Sequence, residues 1–163
     1  MNESPVDAMG PPAFRFHLPD GPLQGPAFSF AFKLLATAVL FGTAGWFVHL
    51  WLAGKVSGGA VSILSWFVAA LVLMAFTWWS IVRSVTRLDA GAVRQTWLWN
   101  KKMELRELAY GRLIRVRGLD WLVAPRVYLR TLEGKFQVFY AADPRMIDQF
   151  ERLVAELKAF RRM

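Results

Sequence analysis

Two long apolar segments dominate the first half of the chain. Residues 34–53 form a run of 20 residues without a formal charge, and residues 60–82 form a second run after the connection GKVSGG. A helix of about 20 residues spans about 30 Å, the thickness of a bilayer core. Within both runs and their connection, the only charged residue is Lys55. The pattern predicts a transmembrane helical hairpin over residues 30–83, rather than buried helices of a soluble protein or a cleaved signal peptide.

Lys and Arg residues near the helix ends predict the orientation of this hairpin. Its tip has only Lys55, whereas the opposite side has Lys33 before the first helix and Arg83, Arg87 and Arg94 after the second. Loops rich in Lys and Arg remain in the cytoplasm. We therefore expect both chain termini to be cytoplasmic.

Both predicted helices have a face of mostly small side chains at spacings of three and four residues. Such faces let helix backbones approach closely. They are predicted to serve helix packing, either within the hairpin, where His49 and Ser62 could hydrogen-bond, or against another subunit. These residues are Ala38, Gly42, Gly45 and His49 on the first helix, and Ser62, Ser65 and Ala69 on the second.

The N-terminal segment is rich in Pro and Gly and has no regular apolar period. Six of the eight prolines of the chain lie within residues 1–27. Such a composition is typical of disorder. Residues 1–29 are therefore predicted to be a disordered cytoplasmic tail, in which the sequence FRFHL at 14–18 is read as solvated linker.

From residue 84 the apolar pattern changes to the alternation that is typical of strands. It predicts about six strands at short spacing, and hence an antiparallel meander. Asn100-Lys101 is a predicted turn, and Glu133-Gly134 gives a hairpin signal. The predicted strands are residues 84–89, 93–99, 103–108, 112–119, 126–132 and 135–141.

The last part of the chain has a helical period. Asp143 suits the N-cap, and Pro144 suits the first helical position, where its missing N–H has no cost. Apolar residues from Met146 to Phe160 form one stripe of an amphipathic helix of about 17 residues. This helix is predicted to cover the open end of a curled sheet. Its expected partners are Trp97, Trp99, Trp121, Phe136 and Val138.

Four segments carry a family resemblance: VTRLDAGAVRQTWLW, MELRELAYGRLIRV, RVYLRTLEGKFQVFY and DPRMIDQFERLVAEL. In this order, after two membrane helices, they resemble the bacterial pleckstrin-homology-like membrane proteins, and the match covers about half of the chain. The resemblance implies an α+β membrane protein of the bacterial inner membrane, with a pleckstrin-homology-like (PH-like) domain in residues 84–163. It also implies a membrane-anchored interaction module.

Eukaryotic domains of this fold that bind phosphoinositides have Lys and Arg in a long loop between their first two strands. Here the connection between the first two predicted strands is only Ala90-Gly91. Specific binding of inositol phosphates is therefore not expected.

The residue types that carry most catalytic and metal chemistry are scarce. The chain has no Cys, and its only histidines are His17 and His49. Disulfides, thiol chemistry, zinc sites and histidine-based triads are therefore not expected. Glu104 and Glu107 fall on opposite faces of a strand-like segment, so they do not form an acid–base pair. The sequence predicts a non-enzymatic protein without a cofactor or a metal.

The net charge of +8 is concentrated in the second half of the chain. Residues 83–163 contain 17 Lys and Arg against nine Asp and Glu. This excess is expected from topology alone, yet it also suits binding of anionic lipid headgroups. Nucleic acid is disfavoured, because the aromatic sheet face is predicted to seat the terminal helix. The candidate contact residues are Arg83, Arg87, Lys101, Lys102, Arg112, Arg115 and Arg117.

Two functions remain open from the sequence. The first is a scaffold or accessory subunit of a membrane complex, which binds another membrane protein or a second copy of itself. The second is a sensor or binder of anionic lipid surfaces that uses the basic residues.

Overall fold

The computed structural model describes residues 12–19, 21–55, 61–116 and 118–162, with side chains described throughout except at 61–63 and 162. Within these residues it shows an α+β chain of two apolar helices, two antiparallel sheets and a C-terminal helix. The strands are β1 (Leu23–Pro26), β2 (Val85–Leu88), β3 (Ala92–Thr96), β4 (Asn100–Glu104), β5 (Leu108–Ile114), β6 (Arg126–Thr131) and β7 (Phe136–Tyr140). The helices are α1 (Phe30–Leu52), α2 (Val61–Arg83) and α3 (Pro144–Arg162).

The described strands form two sheets in which chain neighbours pair, with the orders β1-β2-β3-β4 and β5-β6-β7. A single 3-10 turn at Leu105–Glu107 separates the two sheets and buries Leu105 in the core. The antiparallel pairing is confirmed, but the single bent meander is not. The chain turns where Leu105 enters the core, and both sheets can then bury a face in the same interior.

A strand precedes the apolar hairpin, so the predicted disorder of residues 1–29 is wrong for residues 12–19 and 21–29. β1 pairs antiparallel with β2 from Leu23 opposite Leu88 to Pro26 opposite Val85. β1 is an edge strand of its sheet, and an edge strand tolerates proline. A proline-rich composition is therefore compatible with this strand. The rest of the predicted tail lies outside the described residues.

The segment before β1 is also packed. Phe14, Phe16 and Leu18 are buried in the main core, and the residues between them are exposed. The Phe14 ring lies 5.5 Å from the Phe160 ring of α3. The FRFHL sequence is therefore a docked extended segment, and the prediction of a solvated linker is wrong. We call the described residues of 12–26 and 84–162 the β-domain.

The apolar hairpin is inserted between two paired strands of this domain. β1 ends at Pro26 and β2 begins at Val85, which are partners in register. The hairpin therefore leaves and re-enters the same end of one sheet.

Two predicted boundaries are wrong as a result. The domain boundary at residue 84 omits the first strand, and Ala90-Gly91 joins the second and third strands, not the first two.

Helix α3 packs as its apolar stripe predicts. The carboxylate of Asp143 accepts a hydrogen bond from the Arg145 backbone N–H at 2.9 Å, which confirms the predicted cap. The stripe packs into one core with residues of both sheets. Its buried members are Met146, Phe150, Leu153, Val154 and Leu157, and the sheets contribute Leu88, Val93, Met103, Leu108, Val127, Leu129 and Phe139.

The predicted aromatic partners of α3 lie elsewhere. Trp99, Trp121 and Phe136 are exposed, and Val138 is half-buried. In β7 the side chain that reaches the core is Phe139, so Phe136 and Val138 occupy other positions of the alternation. β3 ends at Thr96, so the alternation that would carry Trp99 inward stops before it. The predicted turn at Asn100-Lys101 is likewise wrong, because the turn is at 97–99 and β4 begins at Asn100.

The two tryptophans after β3 are expected to differ in their effect on stability. Trp97 packs against the Phe28 ring at 5.6 Å and the Tyr140 ring at 6.1 Å, whereas Trp99 is 64% exposed. Trp97→Ala should lower the free energy of unfolding by about 2 kcal/mol, since a half-buried ring and its contacts are lost. Trp99→Ala should change it by less than about 0.5 kcal/mol. Pulse proteolysis of the full chain in mild detergent measures both, and equal losses would contradict this assignment.

Helices α1 and α2 pack through large side chains. The rings of Phe47 and Phe67 stack at 4.4 Å, and Trp78 Nε1 donates to Thr37 Oγ1 at 2.8 Å. Phe30–Leu52 and Leu64–Arg83 are each long and apolar enough to cross a membrane. Many of their large apolar side chains are exposed on the isolated chain, among them Phe41, Trp46, Val72 and Leu73.

Candidate functional site

An aromatic cluster joins the hairpin to the β-domain. Phe28, just before α1, packs its ring against Phe32 of the first helical turn at 5.4 Å and against Tyr140 of β7 at 5.4 Å. Ile81, in the last turn of α2, is buried in the same cluster. We call this group the joint cluster: Ala27, Phe28, Phe32, Ala36, Ile81, Trp97 and Tyr140. It fixes both helix ends to the domain.

Hydrogen bonds reinforce this joint. Ser29 caps α1, because its hydroxyl accepts a bond from the Phe32 N–H at 3.2 Å, and the same hydroxyl donates to the Leu122 carbonyl at 2.8 Å. Lys33 Nζ donates to the Val82 carbonyl at 3.1 Å, at the C-terminal end of α2. A cation at a helix C-terminus is stabilising. The ends of α1 and α2 are thereby tied to each other and to the β5–β6 loop.

Three cations lie in a transverse row on the outer face of the first sheet. Arg87 of β2 is opposite Arg94 of β3, which is opposite Lys102 of β4. All three are exposed, because their side chains alternate with the buried positions of each strand. Arg87 Nε donates to Gln24 Oε1 at 2.8 Å, which extends the row onto β1. We call Arg87, Arg94 and Lys102 the basic row.

Neighbouring acids neutralise the basic row only in part. Arg94 Nε lies 3.8 Å from Asp89, and Lys102 Nζ lies 3.1 Å from Glu104. The hydrogen bond from Lys102, together with the positive charge of Arg106, lowers the pKa of the Glu104 carboxyl. Arg87 bonds a neutral amide, so within the described residues no carboxylate pairs with its guanidinium. In the sequence, Arg94 indicates only the orientation of the hairpin. Its exposed position in the strand after the Ala90-Gly91 turn is the signal that could have placed it beside Arg87.

Lys101 is separate from the basic row. It is half-buried, its Nζ donates to the Val138 carbonyl at 3.4 Å, and it lies 5.3 Å from the centre of the Trp97 ring. Burial lowers the pKa of its ammonium group. Lys101 and Lys102 therefore point to opposite faces of β4, and only Lys102 belongs to the exposed row.

Arg112 and Arg115 form a second group beside α3. Both line a surface depression together with Lys158 and Asp120. Arg115 Nη2 lies 2.6 Å from Glu151 Oε1 of the helix. The seven basic candidates are therefore divided over separate surfaces, and they do not make one patch. Arg117 lies outside the described residues.

Arg83 is the basic candidate that lies in the hairpin itself. It ends α2, and its guanidinium lies 3.9 Å from the centre of the Trp79 ring. Such stacking holds the planar cation over an exposed indole at the end of an apolar helix.

Among the described residues, the small-residue face of α1 is turned away from α2. Ala38, Gly42, Gly45 and His49 are exposed, and a Cβ added at Gly42 or Gly45 would meet no neighbouring atom within 4 Å. The predicted packing of Ala38, Gly42 and Gly45 within the hairpin is therefore wrong. The predicted bond between His49 and Ser62 involves a side chain outside the described residues, and packing against another subunit stays a prediction. On α2, Ser65 and Ala69 are exposed, and the Ser62 side chain lies outside the described residues.

The described residues contain no group of three or more His, Asp or Glu side chains that could hold a metal ion. The candidate functional features among these residues are the charged and aromatic surfaces described above. Comparisons with models of protein families, with curated proteins and with solved structures find no match for this chain.

Proposed function

We propose that the chain is an integral membrane protein whose α1–α2 hairpin crosses a bacterial inner membrane twice. The length and the apolar surface of both helices support the two spans. Lys33 and Arg83 lie where the helices join the β-domain, and the tip of the hairpin has only Lys55. This distribution supports a cytoplasmic β-domain with cytoplasmic termini.

The β-domain is proposed to be PH-like. Antiparallel sheets of four and three strands, followed by one C-terminal helix, support this proposal, because the sequence segments that carry the resemblance predict short antiparallel strands and a terminal helix. The hairpin inserted between β1 and β2 is a departure, since the resemblance implied that both membrane helices precede the whole domain.

The proposed function is that of a non-enzymatic interaction module, which acts as a scaffold or accessory subunit of a membrane complex. The main observation in support of this function is the basic row. The row lies on a sheet whose strands β1 and β2 lead directly into the two helices, so the anchor holds this surface at a fixed place beside the membrane. A surface held in this way is suited to bind a partner in the same membrane.

The chemistry of the basic row specifies the class of partner. Two guanidinium groups and one ammonium group, all exposed, suit carboxylates, and Arg can bind a carboxylate through two parallel hydrogen bonds. We therefore propose an acidic cytoplasmic segment of another membrane protein as the partner.

Neutralising the basic row is expected to release this partner. In Arg87→Gln/Arg94→Gln/Lys102→Gln, recovery of the co-purifying protein should fall about tenfold, since three exposed ion pairs of up to about 1 kcal/mol each are removed. The measurement is quantitative mass spectrometry after a mild-detergent pull-down of the full chain. Because the three side chains are exposed, the β-domain should remain folded.

The matched control is Arg112→Gln/Arg130→Gln/Lys158→Gln, which removes the same charge from other exposed positions. It should leave recovery unchanged, and equal loss in both triple variants would overturn the assignment to the basic row. A reporter enzyme fused after Met163 controls the orientation, and activity outside the cytoplasm would contradict the topology.

An anionic lipid surface is the second candidate ligand. It is favoured by the position of Arg83 over the Trp79 ring, at the helix end where lipid headgroups would lie. Each basic residue near such a surface contributes about 1 kcal/mol. If lipid is the ligand, the basic-row variant should retain its protein partners, whereas Arg83→Gln should lower the amount of anionic phospholipid that co-purifies with the chain.

A further inference from the structure

Two loops of the β-domain expose tryptophan side chains that the fold does not use. Trp99, in the β3–β4 turn, is 64% exposed, and Trp121, in the β5–β6 loop, is 65% exposed. Leu119 and Val116 in the second loop are also exposed, at 43% and 37%. Large apolar side chains that share one end of a domain indicate a binding surface.

Both loops lie at the end of the β-domain where the hairpin joins it. In the first sheet, Thr96 pairs with Val85 at the start of β2, and the hydroxyl of Ser84 donates to the Thr96 carbonyl at 2.5 Å. The turn at 97–99 therefore starts beside the end of α2. Trp97 in this turn also packs in the joint cluster.

The second loop is attached to the start of α1. Its Leu122 carbonyl accepts the hydrogen bond from Ser29, the N-cap of that helix. The β5–β6 pair ends at Ile114 and Arg126 on this side, and Arg126 is opposite Tyr140 of the joint cluster. Trp99 and Trp121 therefore belong to loops at the same end of the domain, one beside each helix terminus.

The helix ends themselves expose aromatic rings at this level. Phe30, the first residue of α1, is exposed, and so is Trp79, one turn before the end of α2. Lys33 and Arg83 add positive charge, and the β5–β6 loop has Asp120 as its acid. Indole rings next to cations suit the headgroup layer, where one edge of the ring is apolar and the N–H can reach water or an ester oxygen.

The opposite end of the domain differs in chemistry. The turn at 89–91 and the turn at 132–135 contain no tryptophan. Glu133 and Lys135 pair there at 2.8 Å, and their hydrogen bond lowers the pKa of Glu133 and raises that of Lys135. This end also exposes Leu132, but its turns have no indole ring that would suit the headgroup layer.

We infer that the β3–β4 turn and the β5–β6 loop seat the β-domain in the headgroup layer, with Trp99 and Trp121 inserted among the lipids. The inference rests on the proposed function, because the loops meet a lipid surface only if the hairpin spans the membrane. The seat would fix the tilt of the domain relative to the bilayer. The basic row would then be presented at a defined height for its partner.

Single labelled cysteines test this seat in the full chain. The sequence has no Cys, so Trp99→Cys, Trp121→Cys and Leu119→Cys each provide one thiol for an environment-sensitive fluorophore. The proteins are reconstituted in vesicles of phosphatidylethanolamine and phosphatidylglycerol, with nitroxide lipids that quench either near the headgroup or near the chain ends. All three labels should shift to shorter emission wavelength and lose most of their emission to the shallow quencher.

Two further labels separate the inference from the proposed function. Glu133→Cys, in the opposite turn, should show no quenching, and Val72→Cys, exposed in the middle of α2, should be quenched by the deep nitroxide. Quenching at 72 without quenching at 99, 119 and 121 would overturn the seat and leave the two spans intact. No quenching at 72 would overturn the spans and the seat together.

Two other outcomes also count against the seat. Labels that are shielded in vesicles without lipid quenching would show that a second copy or another protein covers these loops. Quenching in one loop alone would overturn the two-loop arrangement. Leu119→Cys guards against a structural effect of replacing Trp121, because it reports from the same loop with both tryptophans present.

Discussion

A fragment that begins at Ser84 is expected to aggregate in aqueous buffer, whereas a chain that joins residues 12–26 to residues 85–163 through a two-residue turn should fold without detergent. The join replaces the hairpin by Asn-Gly, a sequence that favours a two-residue turn between antiparallel strands. A two-residue turn can connect the two segments because Pro26 and Val85 are partners in adjacent antiparallel strands. The shorter fragment lacks an edge strand and three core side chains.

The contacts of the N-terminal segment explain this large difference. The Ala142 N–H donates to the Pro26 carbonyl at 3.0 Å, and a Cβ on Gly25 would come within 2.8 Å of the Asp143 Cβ, so β1 closes over the start of α3. At the other end of α3, Arg161 Nη1 donates to the Pro12 carbonyl at 3.2 Å. Without these residues the core face beneath them would be open to water.

Circular dichroism and dispersed amide NMR signals measure the outcome. The joined chain should give a cooperative thermal transition, and the fragment from Ser84 should give none. Equal folding of both chains would mean that the N-terminal segment is dispensable, and it would contradict the domain boundary set by β1. A joined chain with Phe14 and Phe16 both replaced by Asp serves as a control, because it retains β1 but cannot fill the core.

Phe16→Ala in the full chain is expected to lower the free energy of unfolding of the β-domain by about 3–5 kcal/mol, since it removes a buried ring and leaves a cavity. Phe16 is 3% exposed and packs in the main core. For a domain of this size, such a loss lowers the Tm by more than about 10 °C. Pulse proteolysis and thermal unfolding in mild detergent measure the two quantities.

His17→Ala is the neighbouring control. Its side chain is exposed, so the change should be less than about 0.5 kcal/mol. If Phe16→Ala were as mild as His17→Ala, the segment would be a solvated linker. A similar stability loss at both positions would mean that the His17 side chain also contributes, which would contradict the alternation of buried and exposed side chains in this segment.

Elements with a long and regular pattern were predicted well. The apolar stripe from Met146 to Phe160 and the cap at Asp143 located α3 to within about two residues, the usual uncertainty of a helix end. The strands β6 and β7 around Glu133-Gly134 also lie where the alternation placed them. In these segments the local period and the tertiary packing agree.

Pairings between distant segments could not be predicted from local patterns. β1 is four residues long and contains a proline, and its partner β2 follows only after the whole hairpin. No local signal specifies such a pairing, because it is stabilised by the partner strand and by burial beneath α3. The same is true of Phe14 and Phe16, whose alternation was visible but had no evident partner.

The candidate site likewise combines features that local patterns predict with features that depend on distant pairings. The sequence identified Arg87 and Lys102 as exposed cations, but only the register of β2, β3 and β4 placed Arg94 between them. Trp99 was assigned to the core because the alternation was continued beyond Thr96, where β3 ends. Its exposure depends on where the strand stops, and the pairing with Val85 beside the end of α2 sets that point.

Local patterns are enough to identify the kind of each element: two helices apolar along their whole length, strands with period two, and one amphipathic helix. Each follows from the solvent preference of side chains repeated along one segment, which is a local property. Local patterns do not show that the hairpin is inserted between β1 and β2, that the cations are divided over separate surfaces, or that Trp99 and Trp121 lie beside the helix ends. These features depend on contacts between segments far apart in the chain. Such contacts stabilise the structure only after the strands have paired and the core has closed.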